Sequence, residues 1–254
     1  TGLHIYALRQ IVGDALFTAD DEESNWQLAH DILMPAFTRT AMAGYHSIMV
    51  GVARQLLHRW DLAAEREQHV DVTADMTRMT LETIGRAGFG YSFEAFGRVE
   101  PHPFVTAMNR TLRYSNFPTS RVLAPVRRTV VGSAHRHRDD VALMERTVDD
   151  VIAARQAGAS PETRDLLDRM LDTAHPVSGS RLNSVNVRQQ IITFIIAGHE
   201  TTSGALSFAL YYLTANPQAM AEAQGEVDKL WPTDSPEPEF ADIAKLRYVR
   251  AALD

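Results

Sequence analysis

Apolar residues recur along most of this chain at intervals of three and four, the period of a helix with one buried face. The pattern predicts helices over residues 24–36, 40–63, 74–89, 102–115, 133–157, 163–173, 185–215, 217–230 and 239–253. Breaks fall at Ala157-Gly158-Ala159-Ser160-Pro161, at 174–184, and at Trp231-Pro232-Thr233-Asp234-Ser235-Pro236-Glu237-Pro238, where proline removes backbone donors and stops a helix. Residues 116–132, with Pro118, Pro125 and Gly132, read as the most mobile loop, and Val70-Asp71-Val72 as a short extended piece. No internal repeat, low-complexity tract or change of composition divides the chain. A single, mainly α domain over residues 1–254 is the simplest organisation.

The pattern breaks inside its longest helix. Residues 185–215, roughly 46 Å end to end, enter through Gln190-Ile191-Ile192-Thr193-Phe194-Ile195-Ile196 and leave through Ser203-Gly204-Ala205-Leu206-Ser207-Phe208. A helix that only packs places Leu or Ile at its centre; this one places Ala197-Gly198-His199-Glu200-Thr201-Thr202 there. Phe194, Ala197, Gly198, Thr201, Ala205 and Phe208 share one face, so that two rings should project on either side of a notch able to take something flat or small. The Thr201 hydroxyl can reach back to the Ala197 carbonyl, which competes with the helix ladder and tends to open it. Glu200, in an apolar element, needs a partner, water or a proton. A carboxylate beside a hydroxyl in such a place is a candidate proton relay.

Composition narrows the function. The formal charge of −7 argues against nucleic acid as a partner, and 45% hydrophobic with 22% charged residues is the make-up of an ordinary soluble protein. The absence of cysteine excludes a disulfide framework and a zinc–thiolate site, and fits the cytoplasmic location that is expected. The apolar run over 191–213 is interrupted by His199 and Glu200 and makes a poor membrane span. His199-Glu200 lacks the second histidine of a zinc protease, since Ser203 stands in its place. His135 and His137 point to different helix faces, and no nucleophile elbow or phosphate loop occurs.

Ala197-Gly198-x-Glu200-Thr201-Thr202 resembles the oxygen-binding helix motif of the cytochrome P450 family, the heme-thiolate monooxygenases. Trp26 and His30 lie one helical turn apart, between Gly13-Asp14-Ala15-Leu16-Phe17-Thr18 and Met34-Pro35-Ala36-Phe37, and this stretch resembles the family's helix that contacts the heme propionates. The usual second residue there is Arg; His resembles the soluble fatty-acid hydroxylases fused to a diflavin reductase, and is a weaker, pH-dependent partner for an anion. The run from Asp75 to Gly85, His102-Pro103-Phe104, and Leu246-Arg247-Tyr248-Val249 resemble later segments of the same subfamily, in order.

The resemblance implies a P450-like helical core around a long oxygen-binding helix, without the family's N-terminal sheet region and C-terminal cysteine region. No Glu here has Arg three positions on, and with no Cys the chain offers no ligand for the metal. The reading is therefore a central piece of a domain. When complete, that domain would bind heme b and hydroxylate an apolar substrate such as a fatty acid, using O2 and electrons from NADPH through the FAD and FMN of a reductase. By position, Thr201 would organise water over the heme and help deliver protons, with Glu200 relaying behind it. Phe194, Ala197, Gly198 and Thr202 would face the porphyrin, and Trp26 and His30 would hold its propionates. Phe17, Leu112, Thr193 and Ile196 would line the substrate pocket, with plain core packing the equal reading for these four. A partial domain is also expected to dimerise or swap segments across its uncovered faces. The missing cysteine keeps two alternatives open: a helical ligand-binding or interaction domain without heme chemistry, and a histidine of this chain as iron ligand.

Overall fold

Polar residues just ahead of the apolar runs set the helix starts. Asp71 accepts the Ala74 backbone N–H at 3.0 Å, so that α4 (Val72–Phe89) begins there; of the short extended piece expected at Val70-Asp71-Val72, Asp71 is extended and caps the helix, while Val72 already belongs to it. Asn183 likewise caps α8 (Ser184–Ala215) through the Asn186 N–H at 2.9 Å, and Asp165 and Asp168 form a reciprocal capping box on α7 (Leu166–Asp172). At the other end of α4, Gly90 takes the left-handed conformation at φ 59°, which closes the helix and turns the chain back.

The computed structural model describes residues 3–20, 22–115, 127–159, 164–232 and 237–253, and no strand occurs among them. The remaining elements are α1 (Leu3–Val12), α2 (Ser24–Leu33), α3 (Arg39–Glu65), α5 (Pro103–Ser115), α6 (Arg127–Gln156), α9 (Pro217–Leu230) and α10 (Arg247–Leu253). Several differ from the sequence pattern. Helix α1 was not anticipated. Helix α2 ends at Leu33 and passes into a 3-10 turn over Met34–Phe37, as Pro35 dictates. Of the expected loop 116–132, residues 127–132 belong to α6, while 116–126 lie outside the described residues. The expected helix 239–253 is split into a 3-10 turn over Phe240–Lys245 and α10. There the Glu226 carboxylate of α9 accepts the backbone N–H groups of Arg247, Tyr248 and Val249 at 2.8 to 3.0 Å and starts a new helix.

Helix α8 is the spine. It packs along α4, touches α1, α6 and α7, and meets α9 and α10 towards its end; α5 packs on α6 and also against α1. The core between them holds Phe93, Phe104, Met108, Met144, Leu167, Met170, Ile191, Ile192 and Ile195. No helix among the described residues is long and apolar enough to cross a membrane.

Three buried acids tie this core together. Asp75 accepts from Arg59, Trp60 and Arg78 at 2.9 to 3.0 Å. Glu82 accepts from Arg86, Ser92 and the Ala95 N–H. Asp165 is gripped by both terminal nitrogens of Arg155 at 2.7 and 2.9 Å, and the same guanidinium reaches Asp168 and the Phe89 carbonyl. One buried cation thus joins the ends of α4 and α6 to the start of α7. Removing it leaves Asp165 charged and enclosed, a situation that costs about 3–5 kcal/mol. Arg155→Ala is therefore expected to destabilise the domain by about that much in urea unfolding. A loss below about 1 kcal/mol would contradict the assignment.

Candidate active site

Residues 13–20 reach the site because α8 holds them. Leu16 donates its backbone N–H to the Gln190 side chain at 3.1 Å, and Gln190, wholly buried, donates in turn to Asn186. The turn is further braced by the Thr18 hydroxyl on the Gly13 carbonyl at 2.7 Å and by Arg9 on the Thr18 carbonyl at 2.9 Å. Gly13 sits at φ +56°, and the Gln189 amide occupies the space a β-carbon would need. These contacts fix the turn that carries Phe17, whose side chain is 60% exposed.

A cavity of about 720 Å³ lies where this turn, α5 and α8 meet. It is lined by Phe17, Leu112, Thr193 and Ile196, together with Ala197, Glu200 and Thr201, and also by Leu8, Asn109 and Arg113. All four residues expected of a substrate pocket therefore meet two central motif residues of α8 and the expected acid. A second cavity, about 490 Å³, opens on the next face of α8. Gly198, Thr202 and Leu206 line it opposite Thr83, Ile84 and Phe37, and its wall is almost wholly carbon.

Helix α8 thus stands between two spaces, and this corrects the single notch expected from the face pattern. Ala197 and Gly198 face different cavities because successive residues turn by about 100°. Phe208 does not bracket a notch; it is 64% exposed. Phe194 is half-buried and stacks on Phe37 with ring centroids 5.9 Å apart. A β-carbon on Gly198 would meet Ile84 at 3.5 Å, an ordinary contact, so that α4 does not demand glycine there.

The Thr201 hydroxyl does donate to the Ala197 carbonyl, at 2.8 Å, yet α8 runs unbroken from Ser184 to Ala215. The hydroxyl adds to that carbonyl rather than displacing the ladder, so the opened turn expected here does not occur. Glu200 is exposed at the cavity edge, open to solvent; it is not the enclosed carboxylate expected of an apolar helix. The buried member of the motif is His199. Burial pushes its imidazole below the ordinary range, Nδ1 faces the Ile195 carbonyl at 3.2 Å, and its own carbonyl accepts the Thr80 hydroxyl at 2.9 Å. No cluster of three or more acidic or histidine side chains able to hold a metal occurs among the described residues.

Trp26 and His30 stack with centroids 4.9 Å apart and planes 15° from parallel, but neither lines either cavity. His30 Nδ1 faces Asp31 at 3.1 Å, and Asp31 also accepts from Gln27 at 2.8 Å and from His175 Nε2 at 2.9 Å. Sequence reasoning passed over Asp31, His175, Gln190 and Thr80. Only Gln190 carried a signal, as an amide inside an apolar run.

Residues 6–254 match the family described as Cytochrome P450. A bifunctional cytochrome P450/NADPH–P450 reductase 2 from Bacillus subtilis is 43% identical over 253 residues, which is 100% of this chain and 24% of that protein. A self-sufficient cytochrome P450 monooxygenase from Phanerodontia chrysosporium is 38% identical over 248 residues, 97% of this chain and 23% of that one. A crystal structure of a cytochrome P450, CYP102L1, superposes with a TM-score of 0.93 at 38% identity, covering 100% of this chain and 57% of that one. The chain spans about a quarter of the length of the curated relatives it matches.

The Asp31 cluster has a pH signature. Hydrogen bonds from Gln27, then His175, then His30 hold the Asp31 carboxyl at about 2, below its ordinary 3.8. A carboxyl lowered on folding contributes stability above its unfolded value and loses it as pH falls towards the folded one. The stability gap between the wild type and Asp31→Asn should be full at pH 5 and shrink between pH 4 and 2, read by circular dichroism. A gap independent of pH would remove the carboxylate from the account.

Proposed function

The chain belongs to the cytochrome P450 family, and on that premise we propose that it forms the central helical part of a heme monooxygenase domain in a longer protein, one that hydroxylates an apolar substrate, with fatty acids the favoured class. One observation carries the reading. The larger cavity sets Phe17, Leu112, Thr193 and Ile196 against Thr201 and Glu200, so that an apolar substrate and groups able to move a proton share one space. The relatives named for a cytochrome P450 and its NADPH reductase support NADPH, through FAD and FMN of a reductase domain or partner, as the source of electrons.

Heme fits the residues present. The carbon-lined second cavity suits the macrocycle, with Gly198 and Thr202 small enough to lie close to it and Phe194 behind Phe37; Ala197 would meet it from the substrate side. Trp26 and His30 would hold the propionates by position; they stack on each other beside Asp31, which His30 Nδ1 faces, and line neither cavity. When bound, heme supplies the activation of O2. The chain has no cysteine, so in this reading the thiolate ligand comes from outside residues 1–254. Ala197 leaves room beside the reacting carbon, and Phe17 limits how that carbon approaches. The Thr201 hydroxyl, resting on the Ala197 carbonyl, orders water in the cavity and passes protons; Glu200, open to solvent, replenishes them.

A second reading is a ligand-binding scaffold that keeps these helices without heme-thiolate chemistry. The spectrum of the reduced, carbon monoxide-treated protein separates the two. A thiolate-type, red-shifted Soret band supports the monooxygenase, and no heme band or an imidazole-type band overturns it. Thr201→Ala in the complete protein should lower product formed per NADPH by about tenfold or more, given the weight of positioned proton-transfer groups. Unchanged coupling would dismiss the role given to Thr201.

A further inference from the structure

We propose that Gln190 is a positioning residue: through the turn that carries Phe17, it sets where that ring stands in the larger cavity, and so which carbon of a chain substrate is hydroxylated. The proposal rests on the reading of that cavity as the substrate pocket. Gln190 is wholly buried at the head of the apolar run Ile191-Ile192. Another Leu or Ile would serve packing there, and an amide enclosed without partners is costly. Both ends of this amide are used. Oε1 accepts the Leu16 N–H at 3.1 Å, and Nε2 donates to Asn186 Oδ1 at 3.1 Å. Asn186, one turn earlier and also buried, donates to the Asp14 carboxylate at 3.3 Å, and Asp14 accepts a further bond from Asn25 of α2. One polar chain thus runs from α8 to Asp14 and Leu16, on the stretch that leads into Phe17.

Phe17 depends on that chain because little else holds its ring. The ring is 60% exposed and lines the cavity, whereas the neighbouring Leu16 packs against the core. A side chain with few neighbours takes its position from its backbone. The Leu16 N–H, immediately ahead of Phe17, meets the Gln190 side chain and no backbone carbonyl among the described residues. The other ties on the turn act elsewhere. Gln189 fills the space beside Gly13 at its far end, and the Thr18 hydroxyl bonds back to Gly13 within it. Arg9, which donates to the Thr18 carbonyl, belongs to α1 and pairs with Glu23. Gln190 therefore refers Phe17 to α8, the helix that also bears Ala197 and Thr201. Two helical turns, roughly 10 Å, separate Gln190 from Ala197. Misplacement by about 1 Å next to a reacting centre can change a rate about a hundredfold, so a small slip of the turn is enough to redistribute product among adjacent carbons.

The test uses the complete, heme-loaded protein and the distribution of hydroxylated positions formed from dodecanoate. Gln190→Leu keeps the size of the side chain and loses the acceptor. In it the ratio of the two most abundant positions should change about threefold to tenfold, the size of one lost hydrogen bond. Hydrogen exchange of the peptide spanning residues 13–18 should quicken, while that of α4 does not. With Phe17→Ala already in place, Gln190→Leu should leave the ratio within about 1.5-fold, because the ring it acts through is gone. A merely structural role lowers stability and total product and leaves the ratio where it was. Should Gln190→Leu not fold, Asn186→Ala frees Asp14 while keeping the Leu16 bond, and should shift the ratio about twofold or more with Phe17 present and not without it. An unchanged ratio, or the same change with and without Phe17, overturns the proposal and leaves the pocket reading standing. A wild type that forms no hydroxydodecanoate overturns that reading and the proposal together.

Discussion

Helices α4 and α8 are joined by a hydrogen bond that crosses their contact, from the Thr80 hydroxyl to the His199 carbonyl at 2.9 Å. The His199 ring is buried beside it, turned onto the Ile195 carbonyl of its own helix. The Thr80 hydroxyl also lies 3.1 Å from the Met76 carbonyl of its own helix, and its shorter contact to His199 favours one rotation of α8 about its own axis. That rotation decides which side chain faces which space, because Ala197 and Thr201 line one cavity and Gly198 and Thr202 the other. An apolar contact alone would allow a helix to settle over a range of rotations; a directional bond to one named carbonyl does not.

The rest of the scaffold delivers its parts to that fixed helix through polar ties. Gln190 and Asn186 hold the turn that carries Phe17. Arg155 binds three helix ends around Asp165. Glu82 secures the segment after α4. Each such group is buried, and each is matched by partners, which is the condition under which a buried charge is tolerated at all. The apolar core supplies cohesion without direction; these ties supply the register.

The helical architecture was legible in the sequence because period and caps agreed. The central helix was located within a residue of its start by its long apolar run, and the structure adds Asn183 as its cap and Pro217 just beyond its end. The misses have local causes. Helix α1 is short, and the start of α6 was hidden by Gly132 and Pro125. The expected last helix was divided by Glu226, a carboxylate more than twenty positions away in sequence. For the site, Thr201 on Ala197 and the grouping of Phe17, Leu112, Thr193 and Ile196 were anticipated by spacing and by family likeness. The division of the motif between two cavities was not, since a helical wheel shows which residues share a face but not what stands opposite. Neither was the exposure of Glu200, which depends on tertiary surroundings that no local pattern encodes.

Helix α8 turns neighbouring faces to two adjoining spaces, and adjacent letters of its sequence belong to different ones. One residue gained or lost between the Asn183 cap and Ala197 would turn everything after it by about 100°. Each side chain would then be presented to its neighbour's chamber, though the composition would hardly change. The number of residues in that stretch is thus as much a part of the site as their identities. Divergence along α8 is free to proceed by exchange of one side chain for another, and closed to insertion and deletion.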